Sequence, residues 1–408
     1  MSAIIQKLID KGVVVPDASS VYVAPEVDPD RIHPQTVLHP GCRLHGSTTS
    51  IGPGCAIGLE GAVTLRDCQL DAHVQIRGGY ANHATILEGA DCGDGSHIRP
   101  GTLLEEYVVT GHSNGLKQTI LMPFVAVGSL TNFCDVMMAG GSSSAEHSEV
   151  GSSYVHFNFT PHQDKATASL VGDVPHGVLL DQAPIFLGGQ GGIVGPRRIA
   201  YGTVIAAGIV VRKDVEQENM LMISAGGAQR VVLRSYCAPL FGAVDCTIAN
   251  NMNYIGNLFA LQAWYGHVRR RFLQRSPWGA ACLDGAHERL AEGVDERIQR
   301  LGQFAAKLAQ SVQLAGSQAR PTNLPPFVTQ ERFAKAWPEI HAALDRIWQD
   351  LQAGGGEPPP EVEKTLQRMG DTAATYIQTV QALPEEDKDG IRQWLQTLVN
   401  QVTDLFPV

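Results

Sequence analysis

A hydrophobic residue returns at every sixth position in the stretch "IVGPRRIAYGTVIAAGIVV", at Ile193, Ile199, Ile205 and Val211. An α-helix repeats about every 3.6 residues and a strand every two, so neither element alone produces this period. Six residues form one short strand and a turn, and three such units form a triangular coil that stacks on the next coil. The repeat therefore predicts a parallel β-helix of hexapeptides, with a β-sandwich or barrel as the less favoured alternative.

The sequence changes character near residue 246. Of the 43 glycines, 31 lie before that point, and the sequence beyond it is rich in Ala, Leu, Gln, Glu and Arg with helical spacing. The predicted parts are an N-terminal segment 1–35, the β-helix 36–245 with inserted loops at about 106–184, a helical region 246–351, a linker 352–361 and C-terminal helices 362–408. The fold class is mainly β, and we expect the helices to cap the open end of the β-helix.

Composition and charge exclude several classes of protein. The net charge of −10 argues against nucleic-acid binding, which normally requires a basic face. No long apolar run indicates a membrane span, and the N-terminus lacks the features of a signal peptide, so a cytoplasmic protein is expected. The eight cysteines form no CxxC pair, which argues against disulfides and a metal site. The cluster "HVRRR" (267–271) is expected to be a solvated helix face.

Residues of about 36–224 resemble a known family in the stretches "HIRPGTLLEE", "GLKQTIL", "GSSYVHFNFTPHQDK" and "GTVIAAGIVVRKDV". The family is the acetyltransferase domain of the bifunctional glucosamine-1-phosphate acetyltransferase / N-acetylglucosamine-1-phosphate uridyltransferase. The resemblance implies a left-handed β-helix, a homotrimer with active sites between subunits, an acetyl-CoA or other acyl-CoA donor, and a sugar-phosphate or nucleotide-sugar acceptor. The uridyltransferase domain has no counterpart in this sequence, so that activity is not expected.

The resemblance also assigns candidate binding residues. The family's phosphate-binding cations correspond to Arg99 in "IRPG", Lys117 in "GLKQ" and Lys165 in "NFTPHQDK", and Asn158 belongs to the same turn as Lys165. Ala207 in "IAAG" retains the family's coenzyme-facing alanine. Gly189, in the "GGQGG" stretch, is a further candidate for the coenzyme site and is expected at a corner of the β-helix.

The catalytic base of the family has no direct counterpart. The expected histidine falls at Ser129, and the family's coenzyme-contacting arginine falls at Ala225. A serine alone cannot accept a proton near neutral pH. The candidates to replace the base are His147, Glu149, His156 and His162.

Two functional interpretations therefore stay open. The first is a coenzyme-A-dependent acyltransferase with a degenerate active site that acts on a sugar phosphate or nucleotide sugar. The alternative is a non-catalytic protein that binds such a ligand, or a trimeric scaffold whose C-terminal helices bind a protein partner.

Overall fold

The structure is a computed structural model that describes residues 2–224, 237–317 and 327–408. Its first half is a three-sided solenoid of about 11 turns, in which every strand pair is parallel. A helical region follows along the chain. The predicted fold class, a parallel β-helix followed by helices, is confirmed.

The strands form three faces, here called A, B and C. Face A contains Tyr22–Val23, Arg43–His45, Val63–Arg66, Gly79–Asn82, Ser96–Ile98, Val155–Phe157, Gly192–Val194 and Val210–Val211. Face B contains Ser50–Ile51, Gln69–Leu70, Ala84–Ile86, Thr102–Leu104, Ser169–Val171 and Arg198–Ile199. The long strands Gly115–Leu121 and Asn132–Met138 begin on face A and end on face B. Face C contains Val37–Leu38, Ala56–Ile57, Gln75–Ile76, Asp91–Cys92, Val109–Thr110, Ala126–Val127, Glu149–Val150, Phe186–Leu187, Val204–Ile205 and Leu221–Met222.

The helices are numbered in chain order. They are α1 (Ala3–Lys11), α2 (Val174–Gly177), α3 (Asp245–Trp264), α4 (Arg270–Leu273), α5 (Pro277–Ser317), α6 (Val328–Gln352), α7 (Pro360–Gly370), α8 (Tyr376–Gln381) and α9 (Glu385–Thr403). A 3₁₀ turn spans Pro29–Arg31, and a π-helical turn, Tyr265–Arg269, joins α3 to α4. None of the described helices is long and apolar enough to cross a membrane.

The six-residue period arises from inward-facing columns of side chains. Ile193 and Val211 are register partners on face A, while Ile199 lies on face B and Ile205 on face C. All four are at most 1% exposed. Each step of six residues therefore moves one face around the solenoid and places the next apolar side chain in the same core.

The coils continue through residues 106–184, where the sequence period is irregular. Seven strands, from Val109–Thr110 to Ser169–Val171, lie in this range and pair in parallel with their neighbours. The interruptions are shorter segments, at 139–148, 158–168 and 172–185. The last of these contains α2.

Face B differs from the other faces because its outward side chains are also buried. In the second half of the solenoid this outward column consists of Leu103, Ile120, Met137 and Leu170, which are 0–3% exposed. The inward residue follows each of them directly, so both sides of the sheet are apolar, as is typical of a sheet covered on both faces. Burial of each such side chain contributes about 1.5–3 kcal/mol.

Helices α3 and α5 form the cover of face B. Helix α5 packs against the strands Ser50–Ile51, Gln69–Leu70, Ala84–Ile86 and Thr102–Leu104, and α3 packs against Ser169–Val171. In the last coil, Leu221 on face C and the following Ile223 are more than 60% exposed. The described helices thus cover a lateral face. Helix α3 also contacts the last coil, where Asn250 Nδ2 donates to Asp214 Oδ2 at 3.0 Å, and the expected end cap stays a prediction.

Among the glycines of α5, Gly285 lies closest to the side chains of face B. A Cβ at this position would lie 2.2 Å from Gln69 Oε1 and 2.5 Å from Thr85 Oγ1. Both polar side chains are buried, and the Thr85 hydroxyl donates a hydrogen bond to Gln69 Oε1 at 3.1 Å. Neither group can move without disturbing this hydrogen bond.

Replacing Gly285 with alanine is expected to lower the free energy of unfolding by about 1–3 kcal/mol, because the added methyl group overfills a packed interface. Gly293→Ala on the same helix is the matched control, since a Cβ there meets side-chain atoms only at 3.7 Å or more. Alanine favours a helix over glycine, so the control is expected to raise stability by up to about 1 kcal/mol. Urea unfolding measures both, and equal effects would contradict the tight approach at Gly285.

A buried polar cluster joins the helices to the corner that follows face B. Arg269, in the π-helical turn, is 0% exposed and its Nη2 lies 2.5 Å from Glu106 Oε1. Its guanidinium also lies 3.8 Å from the centre of the Tyr376 ring, a cation–π contact. Tyr265 donates a hydrogen bond of 2.6 Å to Glu105 Oε1.

This cluster changes the interpretation of "HVRRR". Arg269 is fully buried, and Arg271 forms an ion pair of 2.9 Å with Glu363 on α7. Arg270 is exposed and lines a cavity of about 790 Å³ with His267. The expectation of a solvated helix face is therefore wrong for Arg269, because the solenoid supplies a carboxylate that the local sequence does not show.

Glu105 gives the cluster a pH dependence. Burial, the largest effect, raises the pKa of Glu105 from 4.5 to about 7, and Glu106 adds to this while Arg269 opposes it. The folded state then binds this proton more tightly than the unfolded state does. The free energy of unfolding therefore decreases as pH rises from 4.5 towards 7.

The Glu105→Gln variant is expected to lose this contribution, because glutamine accepts the Tyr265 hydrogen bond without titrating. Urea unfolding at about pH 5 and about pH 7 measures it. The decrease in stability between these values should be smaller in the variant than in the parent chain. Glu361→Gln, at an exposed position of α7, is the control and should show the parental decrease; an unchanged decrease in Glu105→Gln would contradict the buried titration.

Candidate functional site

Two of the predicted phosphate-binding cations meet where face A turns into face B. Arg99 Nη2 lies 3.1 Å from Cys134 Sγ, and Lys117 is the register partner of Cys134 on the neighbouring coil. These three residues are called the cation corner. Lys117 and Cys134 lie in long strands that continue around the corner, and Arg99 directly follows the strand Ser96–Ile98.

Cys134 lies at the centre of the cation corner, and sequence analysis did not single it out. Burial raises the pKa of the Cys134 thiol, although the charges of Arg99 and Lys117 oppose that effect. The thiol also contacts Asn132 Oδ1 at 3.1 Å. Since the thiolate is the nucleophilic form, Cys134 is a packing residue rather than a reactive group.

Asn158 reaches the same corner through Asp135. Asn158 Nδ2 donates to Asp135 Oδ2 at 2.6 Å, and Asp135 Oδ1 accepts from Arg297 Nη2 at 2.9 Å. Arg297 belongs to α5 and is 3% exposed. The structure thus brings Arg99, Lys117 and Asn158 together and adds an arginine from the helical region, which no local sequence pattern indicated.

Lys165 lies in the 158–168 interruption and lines a small cavity with Arg300 and Lys307 of α5. Arg300 lies three residues after Arg297, the α5 arginine that binds Asp135 at the cation corner. The grouping of Lys165 with Arg99 and Lys117 in one pocket therefore stays a prediction.

The opposite edge of face A, where face C turns into face A, carries the predicted coenzyme residues. Gly208 N–H donates to the Gly189 carbonyl at 2.9 Å, which places Ala207 and Gly189 on neighbouring coils of one corner. Ser153 N–H donates to the Ser129 carbonyl at 2.8 Å on the same corner. This edge, which carries Ser129, Ser153, Gly189 and Ala207, is called the serine corner. The expectation that "GGQGG" forms a corner is confirmed, whereas Ala225 lies outside the described residues.

His156 belongs to the interior of the solenoid. It is 2% exposed, it is the register partner of Ile193, and its Nε2 lies 2.7 Å from Ser169 Oγ. Burial lowers the pKa of His156 to about 4. An inward imidazole cannot reach an incoming amine, so this placement removes His156 from the candidates for a general base.

The other base candidates lie near the surface, away from the cation corner. His147 Nε2 is 3.8 Å from Glu149 Oε2, and its Nδ1 is 2.9 Å from the Ser144 carbonyl oxygen. Glu149 is on face C, in register with Ala126. His162 stacks on Phe241 with ring centres 4.5 Å apart and contacts the segment before α3.

One exposed histidine at the serine corner was missed. The backbone N–H of His112 donates to Ser129 Oγ at 3.2 Å, and the Leu130 N–H donates to the His112 carbonyl at 2.9 Å. His112 therefore lies one coil away from the position where the family carries its base. The signal in the sequence is the separation of 17 residues, which also relates Asn114 to Thr131 on adjacent coils.

Residues 2–224, 237–317 and 327–408 contain no group of three His, Cys, Asp or Glu side chains that is placed to hold an ion. All eight cysteines are free thiols, and six of them are buried.

Comparison with known proteins finds sequence similarity to several bifunctional GlmU proteins. The bifunctional protein GlmU of Trichlorobacter lovleyi is 26% identical over 215 residues, which are 52% of this chain and 42% of that protein. GlmU of Pelobacter propionicus is 28% identical over 210 residues, which are 51% of this chain and 40% of that protein. GlmU of a Geobacillus species is 27% identical over 221 residues, which are 54% of this chain and 43% of that protein.

This chain is similar to GlmU over about half of its own length. The expected kinship with the acetyltransferase part of that family is confirmed by these matches together with the solenoid. The chain spans about 40% of the length of the GlmU proteins that it matches. No protein-family profile matches this chain.

Thiol labelling tests the environment of the cation corner. Cys237 and Cys246 are exposed, and burial together with Asp214 raises the pKa of Cys246 to about 11. In the native protein we expect a chromogenic thiol reagent to label Cys237 first and Cys246 more slowly. All eight thiols should react after unfolding in urea. Rapid native labelling of Cys134, identified by peptide mass spectrometry, would contradict its assignment as a buried, unreactive thiol.

Proposed function

We propose that this chain transfers an acyl group from acetyl-CoA, or another acyl-CoA, to the amine of an amino-sugar phosphate. The kinship with GlmU supports an acyltransferase of amino-sugar metabolism. The observation that carries the proposal is the arrangement of face A between two corners. One corner presents Arg99 and Lys117, and the other presents Gly189 and Ala207.

The two corners suit the two halves of such a reaction. Arg99 and Lys117 would bind the acceptor's phosphate, since guanidinium and ammonium groups are the side chains that pair with phosphate oxygens. Gly189 and Ala207 are small, and a Cβ on the adjacent Gly208 would meet no atom within 4 Å. The serine corner therefore has room for the extended coenzyme.

His112 is the proposed general base. It is exposed, it lies beside Ser129, and its Nδ1 is 3.3 Å from Ser113 Oγ. In the tautomer in which Nδ1–H donates to Ser113 Oγ, Nε2 accepts the proton. Imidazole is the side chain best suited to proton transfer near neutral pH. His112 would take the proton from the acceptor's amine as the amine nitrogen attacks the thioester carbonyl. The new amide bond forms, the carbon–sulfur bond breaks, and the coenzyme leaves as a thiol after protonation.

We further propose that the chain acts as a homotrimer with sites between subunits. Face B is covered by α3 and α5 of the same chain. Faces A and C are therefore the sides on which a neighbouring subunit would approach the two corners. The positions of His147 and Glu149 on the face C side are compatible with a site that a second subunit completes.

A non-catalytic binding protein is the second candidate. The observation in its favour is Ser129 at the family's base position, with its hydroxyl oxygen occupied by the His112 N–H. In that case sugar phosphates would bind at the cation corner without any acyl transfer.

The decisive experiment measures release of free coenzyme A from acetyl-CoA in the presence of glucosamine-1-phosphate. We expect turnover, and we expect the His112→Ala variant to lose about 10²–10⁴-fold in kcat because general-base catalysis contributes that much. His341→Ala is the control for removal of a surface imidazole, because His341 is an exposed histidine on α6 that lies beside Asp345, and it should keep the parental kcat.

Two outcomes would contradict the proposal. Turnover that is unaffected in His112→Ala would remove His112 from the mechanism. Calorimetric binding of N-acetylglucosamine-1-phosphate, without acetyl-CoA binding and without turnover, would favour the non-catalytic alternative.

A further inference from the structure

A small cavity lies between the solenoid and the helical region. One wall is the 158–168 interruption, which connects the face A strand Val155–Phe157 to the face B strand Ser169–Val171. The other wall is α5. The cavity has a volume of about 90 Å³, about three times the space that one water molecule takes in the liquid. It therefore has room for a small oxyanion.

Three cationic side chains from two parts of the chain line this cavity. Lys165 comes from the solenoid, and Arg300 and Lys307 come from α5. Their convergence depends on the docking of α5, because 135 residues of sequence or more separate Lys165 from the other two in the chain numbering. The solenoid alone would present only one of the three charges.

Two of these charges have no carboxylate partner. Lys307 Nζ donates to the backbone carbonyls of Gln163 at 2.6 Å and His162 at 3.4 Å, which orient the ammonium group without neutralising it. Lys165 is exposed, and no ion pair or hydrogen bond occupies its ammonium group within the described residues.

The acidic groups nearby are already engaged. Glu296 Oε1 pairs with Arg300 Nε at 3.0 Å and lies 3.6 Å from Arg297. Asp164 also lines the cavity, but it is 7% exposed and its Oδ2 accepts a short hydrogen bond from the Thr160 hydroxyl. Neither lysine lies within ion-pair distance of a described carboxylate, so the cavity keeps an excess of positive charge.

We propose that this cavity binds a phosphate monoester, held by Lys165 together with Arg300 and Lys307 of α5. Lysine ammonium groups act as point charges for phosphate, and a guanidinium adds directed hydrogen bonds. The proposal deepens the proposed function, on which it rests, by making the helical region a part of the ligand site. The bound group is either the 3′-phosphate of the coenzyme or the acceptor's phosphate, held here in place of Arg99 and Lys117, and the experiment distinguishes these sources.

Isothermal titration calorimetry of the full chain with inorganic phosphate tests the cavity directly. Lys307→Gln and Arg300→Gln should each raise the dissociation constant for phosphate by about tenfold, since each removes a charge-assisted contact. Lys335→Gln is the matched control, because Lys335 is an exposed helical lysine on α6 that pairs with Glu331. Its dissociation constant should equal that of the parent chain.

A second variant covers the case in which Lys307→Gln perturbs folding through its two carbonyl contacts. Lys165→Gln removes a side chain without a described partner, so its thermal unfolding should match that of the parent while its phosphate affinity falls. Unchanged phosphate affinity in Arg300→Gln and Lys165→Gln would overturn the proposal. Absence of phosphate binding to the parent chain would overturn it as well.

Further titrations identify the source of the phosphate. Weakened glucosamine-1-phosphate binding in the variants assigns the acceptor's phosphate to the cavity. Weakened coenzyme A binding, with unchanged binding of coenzyme A that lacks its 3′-phosphate, assigns the coenzyme.

The failure of this proposal and the failure of the proposed function give different results. Phosphate affinity that depends on Arg300 and Lys307, without acyl transfer, supports the cavity and contradicts the transferase. Acyl transfer with phosphate affinity that is insensitive to both residues supports the transferase and overturns the cavity.

Discussion

Burial of the outward side of face B is the constraint on which the rest of the structure depends. Leu103, Ile120, Met137 and Leu170 point away from the solenoid interior and are nevertheless buried. A solenoid face with this composition needs a cover, because exposed apolar patches of this kind mark interaction surfaces or cause aggregation. Helices α5 and α3 of the same chain pack against the strands that carry Leu103 and Leu170, respectively.

Several other features follow from that docking. The close approach at Gly285 is possible because glycine leaves room for the Gln69 and Thr85 side chains. The buried pair of Arg269 and Glu106 crosses the same interface, where breaking it would leave an uncompensated buried charge. Arg297 reaches Asp135 at the cation corner by way of α5. The helical region thus adds charged side chains to the solenoid as well as covering it.

Much of the solenoid could be predicted from the sequence, because its core repeats with the chain. The step of six residues at Ile193, Ile199 and Ile205 reports inward packing that is the same in every coil. The doublets "LL" at 103–104, "IL" at 120–121 and "MM" at 137–138 were also a sequence signal that the outer side of face B is covered. An outward residue next to an inward one was apolar each time, and this pattern indicated a sheet covered on both sides.

The site was predictable only in part. Arg99 and Lys117 come together because they lie on neighbouring coils, so motif spacing was sufficient. His156 could have been excluded by strand alternation, since exposed Phe157 follows it and its side chain must point inward. The contributions of Arg297, Arg300 and Lys307 depend on how a distant helix docks, and no local pattern in the sequence specifies that contact.

A chain that ends at Val244 tests the central claim most directly, when it is compared with the same chain carrying threonine at Leu103, Ile120, Met137 and Leu170. If the helices cover face B, the unaltered truncated chain should aggregate and bind an apolar dye. The substituted chain should instead stay dispersed in size-exclusion chromatography and show reduced dye binding. A truncated chain that is dispersed and free of dye without any substitution would contradict the account.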